Sequence, residues 1–472
     1  MSRRTKIVAT LGPSTDDPAI LKRVLVAGVD VVRVNYSHGK HEDHARRVGL
    51  VRQTALALGL DIGVLADLQG PKIRIESFAA GPVELLEGRP FALDTAMGTN
   101  AGDERAVGCA YAELPRDVKP GDVLLLNDGA IVLKVEQSEG TRVDTTVLIG
   151  GPLSNRKGIN KQGGGLSAAA LTDKDREDLR HAVGLEADFI AVSFPRSAAD
   201  MEEARRLLKA AGGHAGLVAK IERAEALPQL DPIIAASEAV MVARGDLGVE
   251  IGDAELPGWQ KRIIARSREM NRVVITATQM MESMITNPLP TRAEVSDVAN
   301  AVMDGTDAVM LSAETATGRW PVKVVEAMAR VCVAAESAPT PEREIRTLET
   351  HFQRVDEAVA MATTYTARHM HAKAIVALTE SGHTALLMSR AQTQIPIYAL
   401  TRFERTRRRM ALCRGVFPVA FEPAQLETMK PVAEAIESLK YRKVIAEGDR
   451  VLVTKGDFTG PGGTNSMKIV SV

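Results

Sequence analysis

The chain has 472 residues, 45% of them hydrophobic and 25% charged, with 59 basic against 60 acidic side chains and a net charge of −1. At ~150 residues per domain this length makes several domains, and the balanced charge gives no overall pull toward nucleic acid or anionic membranes. Cys109, Cys332 and Cys413 lie far apart, which argues against a disulfide scaffold or a zinc site and fits a reducing compartment.

The N-terminus carries Arg3, Arg4 and Lys6 but only a short apolar run before Gly12-Pro13. That is too little for a signal peptide, and no uncharged stretch approaches the ~20 residues that span a bilayer. A cytoplasmic protein is expected. Short β-branched runs then recur at 7–10, 29–35, 62–67, 189–193, 217–222, 239–246, 273–278 and 308–314. Near-continuous apolar runs suit strands buried on both faces of a parallel sheet, and stretches of helical periodicity separate them. Eight alternations of strand and helix predict an α/β fold built on a (β/α)8 TIM barrel. Arg33, Asn35, Asp67, Ser193, Lys220, Glu222, Asp246, Thr278 and Glu314 fall at the C-terminal ends of these runs, the face where such barrels hold their chemistry. The bland alternative is that polar residues end strands because loops are wet.

The third and fourth runs are separated by a long insertion, opened by Gly70-Pro71 and closed by Gly163-Gly164-Gly165. Its runs at 123–126, 131–135 and 142–149 predict strands, with Asn127-Asp128-Gly129 as a hairpin turn. An inserted β domain is expected where a lid would stand. After Ala338-Pro339-Thr340-Pro341 the pattern restarts with a helix over 352–370, strands at 374–378, 397–400, 416–420, 450–453 and 467–470, and a short helix over 385–389. The predicted organisation is a barrel from 1–70 and 167–340, a lid from 71–166 and a C-terminal α/β domain from 350–472.

On a strand, residues two apart share a face, so Lys220 and Glu222 point together into the mouth and Asp246 follows on the next strand. Two carboxylates on adjacent strands suit Mg²⁺ with open sites for substrate, and the ammonium beside them suits a developing anion. A plain Lys–Glu–Asp ion-pair network is the competing reading. Arg33 is suited to bidentate phosphate recognition, and Lys72 and Arg74 add cations at the lid hinge, unless they are merely solvated. A small multianionic substrate and phosphoryl transfer fit this mouth.

Segments 33–39, 70–74, 220–222, 241–251, 277–284 and 304–318, in order along the chain, resemble the motifs of pyruvate kinase. The resemblance implies transfer of phosphoryl from phosphoenolpyruvate to ADP, giving pyruvate and ATP. It implies that Lys220, Arg33 and Thr278 are catalytic, and that Gly245, Asp246, Thr278 and Ser312 join Arg33 and Lys220 in binding substrate. Glu222 and Asp246 would hold Mg²⁺, or Mn²⁺ in its place. Asn35, His38, Arg74 and Lys157 would contact the nucleotide, and Ser312 and Glu314 would lie near the path of the proton. Asn35, Ser37, Asp67 and the Leu68 carbonyl match a monovalent-cation site. Many members that require K⁺ carry Thr, Lys and Glu where this chain has Leu68, Gln69 and Lys72. This trio resembles the K⁺-independent branch, with the Lys72 ammonium replacing the ion.

The loop Thr379, Glu380, Ser381, Gly382, His383 and Thr384, between a strand and a helix start, can cradle a phosphate or simply cap the helix. By resemblance it is an effector site for AMP or a sugar phosphate, and a homotetramer is implied. Arg402, Arg405, Arg407, Arg408 and Arg409 read first as a solvated helix face, with an effector or subunit contact as the alternative. Met280, Met281 and Met284 read as packing or interface, and His41, His44, His181 and His214 as surface residues. Two other functions are weighed against it and disfavoured: a Mg²⁺-dependent lyase or aldolase that stabilises a pyruvate enolate, and an inactive phosphometabolite sensor. A lyase has no need of Lys157 and Arg74 on a nucleotide side, and a sensor has no need to keep Lys220, Glu222, Asp246 and Thr278.

Overall fold

Strands covered on both faces need apolar side chains throughout, and the predicted runs supply them. The computed structural model describes residues 3–338, 352–391, 393–422, 430–456 and 463–472. The chain opens with β1 (Lys6–Thr10), β2 (Val31–Asn35) and β3 (Gly63–Asp67). The inserted strands follow: β4 (Val83–Leu85), β5 (Pro90–Asp94), β6 (Ala106–Gly108), β7 (Val123–Leu126), β8 (Ile131–Glu139), β9 (Arg142–Ile149), β10 (Gly151–Leu153) and β11 (Ile159–Lys161). The first sheet resumes with β12 (Phe189–Val192), β13 (Gly216–Ile221), β14 (Ala239–Ala243), β15 (Val273–Ala277) and β16 (Ala308–Leu311). It closes as a parallel barrel in the order β1-β16-β15-β14-β13-β12-β3-β2, so all eight expected strands are present.

Two runs end three residues earlier than expected, and those at 189–193, 217–222 and 273–278 end one residue earlier. The 239–246 run is a strand only to Ala243, and the helix Arg244–Ile251 starts at the next residue. The 308–314 run stops at Leu311, with a helical turn at Ala313–Ala316. No Gly-Pro punctuation marks either switch, so apolar content carries across it. The inserted domain is a sheet in the order β11-β7-β8-β9-β5-β6 with a small β10-β4 pair beside it. Its Asn127-Asp128-Gly129 turn has φ of 51°, 56° and 89°, the left-handed region that these residue types tolerate best.

The C-terminal unit holds the helix Val355–His369, then β17 (Ala374–Leu378), the helix His383–Arg390, β18 (Ile397–Thr401), the helix Glu404–Met410, β19 (Val416–Ala420), β20 (Arg450–Gly456) and β21 (Thr464–Ser471). The sheet order is β19-β18-β17-β20-β21, with β21 alone antiparallel. The expected Pro339-Thr340-Pro341 boundary lies outside the described residues.

This unit plugs the barrel floor. Inward-facing Val8, Val31, Leu65, Val218, Met241 and Ile275 form one buried cluster with Met410, Leu412, Cys413 and Val416. Polar contacts fix the joint: Lys6 Nζ donates to the Val416 carbonyl at 2.7 Å, and Gly415 N–H donates to the Arg4 carbonyl at 2.9 Å. The basic cluster is therefore only partly a solvated face: Arg402 and Arg405 are exposed, and Arg407, Arg408 and Arg409 are half-buried. Arg407 Nε donates to Asp61 at 3.0 Å, and the Arg408 carbonyl lies against Gly63 at the base of β3. The barrel covers Arg407 and Arg408, which local sequence cannot report.

The surface reading of the histidines fails for His44, fits His214, and fits only in part the half-buried His41 and His181. His44 is 3% exposed and packs on Tyr36 with ring centroids 4.6 Å apart. His41 and His181 stack at 4.1 Å, held by Asp178 at 2.7 Å from His41 and by the Tyr36 hydroxyl at 2.7 Å from His181. Only His214 of the four is exposed. Met280, Met281 and Met284 are fully buried, which fits packing.

The floor contains one demanding ion pair. Arg390 forks onto Asp307, which is 1% exposed and also accepts the N–H groups of Val274 (2.9 Å) and Arg414 (3.1 Å). Arg390→Met leaves that carboxylate buried with its cation removed, and is expected to destabilise the protein by about 3–5 kcal/mol. Urea unfolding followed by tryptophan fluorescence measures it; an unshifted transition would show that the pair is not holding the joint.

Candidate active site

The strand tips converge on one buried network. Asn35 stands opposite Asp67 in the β2–β3 register, and Arg33 lies two residues back on the same face of β2. Asp67 is fully buried between two cations. Its Oδ2 accepts from Arg33 Nε at 2.7 Å, and its Oδ1 lies 3.2 Å from Lys220 Nζ. Burial pushes the Asp67 carboxyl up, but Lys220 and Arg33 outweigh it and hold it below the usual carboxylate range. Lys220 Nζ also reaches Glu222 at 2.9 Å and the Ser193 hydroxyl at 2.7 Å. Burial lowers the Lys220 pKa, and the charges of Asp67 and Glu222 overturn that and raise it. Lys220 is therefore a fixed ammonium at neutral pH, not a base.

Glu222 and Asp246 face one another from β13 and from the helix after β14. Burial raises the Glu222 pKa; Lys220 opposes this and the Asp246 charge adds to it. Two hard carboxylates, one of them strained by burial and by its neighbour's charge, form a donor set that fits Mg²⁺. That ion takes one or two protein carboxylates and keeps its other positions for substrate and water. Among the described residues no cluster of three or more metal-ligating side chains exists.

Strained backbone holds these ligands. Phe194 has φ 56°, and its N–H donates to Glu222 Oε2 at 2.9 Å. Thr278 and Gln279 have φ 70° and 54°, and the Thr278 hydroxyl accepts the Gly245 N–H at 2.8 Å. Non-glycine residues in this region cost about 1–3 kcal/mol each, and such outliers cluster where a site needs them. Glu314 is buried as well, its carboxylate accepting the N–H groups of Ser312 (2.6 Å) and Met281 (3.2 Å), and burial raises its pKa.

The residues expected on the nucleotide side form a looser group. His38 is exposed, and burial, Arg74 and Arg33 together lower its pKa, so all three lie on one side of the mouth. Asn35 Oδ1 accepts the Ser37 N–H at 3.0 Å. Arg74 bridges to Gly158 across the two hinge strands, and the Lys157 carbonyl accepts the Ile75 N–H at 2.9 Å. Lys72 pairs with carboxylates other than Asp67. Its ammonium lies 3.1 Å from Asp246 Oδ1 and 3.8 Å from Asp128 at the inserted hairpin tip. The Leu68 carbonyl accepts the Ser193 hydroxyl at 2.7 Å.

Sequence reasoning missed three participants. Thr10, at the tip of β1, accepts from Arg33 Nη1 at 3.0 Å; its place at a strand end was the available signal. Arg244, inside a segment already singled out, donates to the carbonyls of Ala277 (3.1 Å) and Thr278 (2.6 Å) and to Asp297 (2.7 Å). Asp128 had no signal beyond its turn. In the Thr379–Thr384 loop, Thr379 Oγ1 accepts the Gly382 N–H at 2.9 Å and Ser381 Oγ accepts the His383 N–H at 3.4 Å, while the N-cap of the helix, Gly382, has no side chain to cap it. Thr384 is buried with its hydroxyl 2.6 Å from that of Thr464 on β21.

Comparison with known proteins matches residues 2–325 to the family model "Pyruvate kinase, barrel domain" and residues 357–470 to "Pyruvate kinase, alpha/beta domain". The chain is 54% identical to Pyruvate kinase II of Salmonella typhimurium over 475 residues, covering 100% of this chain and 99% of the relative. It is 52% identical to a pyruvate kinase of Haemophilus influenzae (98% and 97% covered) and 41% identical to one of Mycobacterium intracellulare (100% and 98% covered). These matches decide against the lyase reading. With two carboxylates and a fixed ammonium at the barrel mouth and full-length likeness on every side, the chain belongs to the pyruvate kinase family, and its reaction is phosphoryl transfer between phosphoenolpyruvate and ADP.

Proposed function

We propose that the reaction runs on the network centred on Asp67, with Lys220 as the electrostatic partner of the enolate oxygen. The observation that carries this is the threefold grip on the Lys220 ammonium by Asp67, Glu222 and Ser193. A cation fixed before substrate arrives needs no reorganisation when negative charge develops on the substrate oxygen. Arg33, oriented by Asp67 and Thr10, grips the transferring phosphoryl group. The Gly245 N–H, Asp246 and Thr278 orient the pyruvate portion at the start of the helix Arg244–Ile251, whose positive dipole end favours a carboxylate. Glu222 and Asp246 would hold Mg²⁺, which supplies charge neutralisation and a template for the substrate when bound. The inserted domain covers the nucleotide, bringing Lys157 toward Asn35, His38 and Arg74. The enzyme works in the cytoplasm as a homotetramer, with the Thr379–Thr384 loop, through its Thr379, Ser381, Gly382 and His383 groups, taking AMP or a sugar phosphate. Lys220→Met is expected to lower kcat about 10²–10³-fold with a smaller change in KM for phosphoenolpyruvate. Coupled pyruvate assays measure it, and a kcat within a few-fold of the parent would remove Lys220 from the chemistry.

The enzyme is further proposed to work without K⁺. Both Asp67 oxygens face protein cations, the Leu68 carbonyl is engaged by Ser193, and Lys72 adds a tethered ammonium beside Asp246. Another cation in this region meets repulsion. Turnover in tetramethylammonium buffer should match turnover with added K⁺. Lys72→Glu should lose roughly 10²-fold without K⁺ and regain part of it with K⁺. Wild-type dependence on K⁺ would sink the argument.

The effector claim is checked by phosphoenolpyruvate saturation with and without AMP or ribose 5-phosphate. A leftward, less sigmoidal curve is expected, and identical hyperbolas would remove it.

A further inference from the structure

The inserted domain leaves the barrel through Gly70 and returns through Gly163, Gly164 and Gly165, whose φ values of 75°, 81° and 102° lie where glycine is favoured, in the segment expected from the sequence as the return hinge. Four contacts hold this return segment to the barrel. The Glu250 carbonyl accepts the Gly163 N–H at 3.0 Å, and its side-chain Oε1 faces Asn160 Nδ2 at 3.4 Å. Glu225 Oε1 accepts the Gly165 N–H, and Arg223 Nη2 donates to the Leu166 carbonyl at 2.6 Å. Glu250 Oε2 closes the set by accepting the Ala224 N–H at 2.8 Å.

The sequence positions of these anchors matter. Arg223, Ala224 and Glu225 directly follow Glu222. Glu250 lies one helical turn beyond Asp246, on the helix Arg244–Ile251. Each of the two segments that carries a site carboxylate therefore also grips the hinge. Glu250 is 3% exposed, and the charged groups facing it are Glu225, at its flank, and Arg223; the inserted domain offers the neutral Asn160. Lys161, on the same inserted strand, is occupied by Asp122 at 2.8 Å and the Asp117 carbonyl at 3.0 Å. Glu225 Oε2 is buried with no hydrogen-bond partner. It lies 2.4 Å from the place a Cβ at position 164 would take, and the φ of 81° there favours glycine.

We propose that Glu250, acting with Arg223 and Glu225, is a positioning residue that latches the return hinge of the inserted domain to the two segments bearing Glu222 and Asp246. Binding at those carboxylates and the seat of the inserted domain are then one mechanical event.

The latch carries a proton. Burial and the Glu225 charge raise Glu250 to about 7, against the pull of the Ala224 N–H, Arg223 and Asn160. A carboxyl whose pKa is higher in the latched state stabilises that state while protonated. The contribution is full below the ordinary carboxylate range and is lost as pH rises through about 7. Above that value the ionised, buried Glu250 faces the half-buried Glu225 carboxylate beside the hinge, and the hinge releases. Glu250→Gln keeps an acceptor for Ala224 and removes the titration. Glu225→Gln removes the repelling charge and moves the release to higher pH by lowering the energetic cost of ionising Glu250.

The test is hydrogen exchange at 161–166 with KM for ADP, on the full-length enzyme from about pH 6 to about pH 8.5. Relative to Glu250→Gln, the parent should lose hinge protection roughly fivefold as pH rises. Its KM for ADP should rise in step, with kcat moving less. The KM arm rests on the inserted domain covering the nucleotide. Hinge exchange that separates parent from variant while KM does not would uphold the latch and overturn the nucleotide-cover reading. Exchange profiles identical in the parent, Glu250→Gln and Glu225→Gln would overturn the latch itself.

Discussion

A carboxylate with no access to water must be surrounded by compensating charge, and at this barrel mouth that carboxylate is Asp67. Arg33 and Lys220 could not share so small a space without it. Each would repel the other, and burial would press Lys220 to give up its proton. With Asp67 between them, both cations are oriented at once, and Ser193 and Glu222 fix the remaining directions of the ammonium. The strain at Phe194 and Thr278 sits beside the same network, where Phe194 holds the Glu222 carboxylate and Thr278 the Gly245 N–H. The site is thus built before any ligand arrives.

Most of this was readable along the chain. Parallel strands covered on both faces leave uninterrupted apolar runs, so the eight barrel strands announce themselves, and polar residues at their ends mark the open face. Alternation placed Lys220 and Glu222 on one side of β13. Boundaries blurred where a helix follows a strand with no turn residue between, as at Ala243 and Arg244. What could not be read was burial by a distant segment. Arg407 and Arg408 have the local pattern of a wet helix, and His44 that of a surface position, because the covering groups come from elsewhere in the chain. Lys72 illustrates the same limit. Its charge was evident, but its choice of Asp246 over Asp67 depends on which acceptors Arg33 and Lys220 had already filled.

The barrel strands have two working ends. Their tips supply the chemistry, and their bases meet the C-terminal sheet. β3 shows this within five residues, with Gly63 beneath the Arg408 carbonyl and Asp67 at the mouth. The helix Glu404–Met410 is also tied to the loop after β17, since Thr406 Oγ1 donates to the Glu380 carbonyl at 2.7 Å. Short, stiff elements thus join the C-terminal loop to the mouth without crossing a flexible connection.

The floor contact has a consequence for the modularity of the chain. Val8, Leu65 and Ile275 line the barrel interior, yet they share one apolar cluster with Met410, Leu412 and Val416. The catalytic module has no finished underside of its own. A chain truncated or spliced between the two units would expose that greasy opening together with the carboxylates of Asp61 and Asp307. The product would be a sticky fragment that associates with itself, not a minimal enzyme.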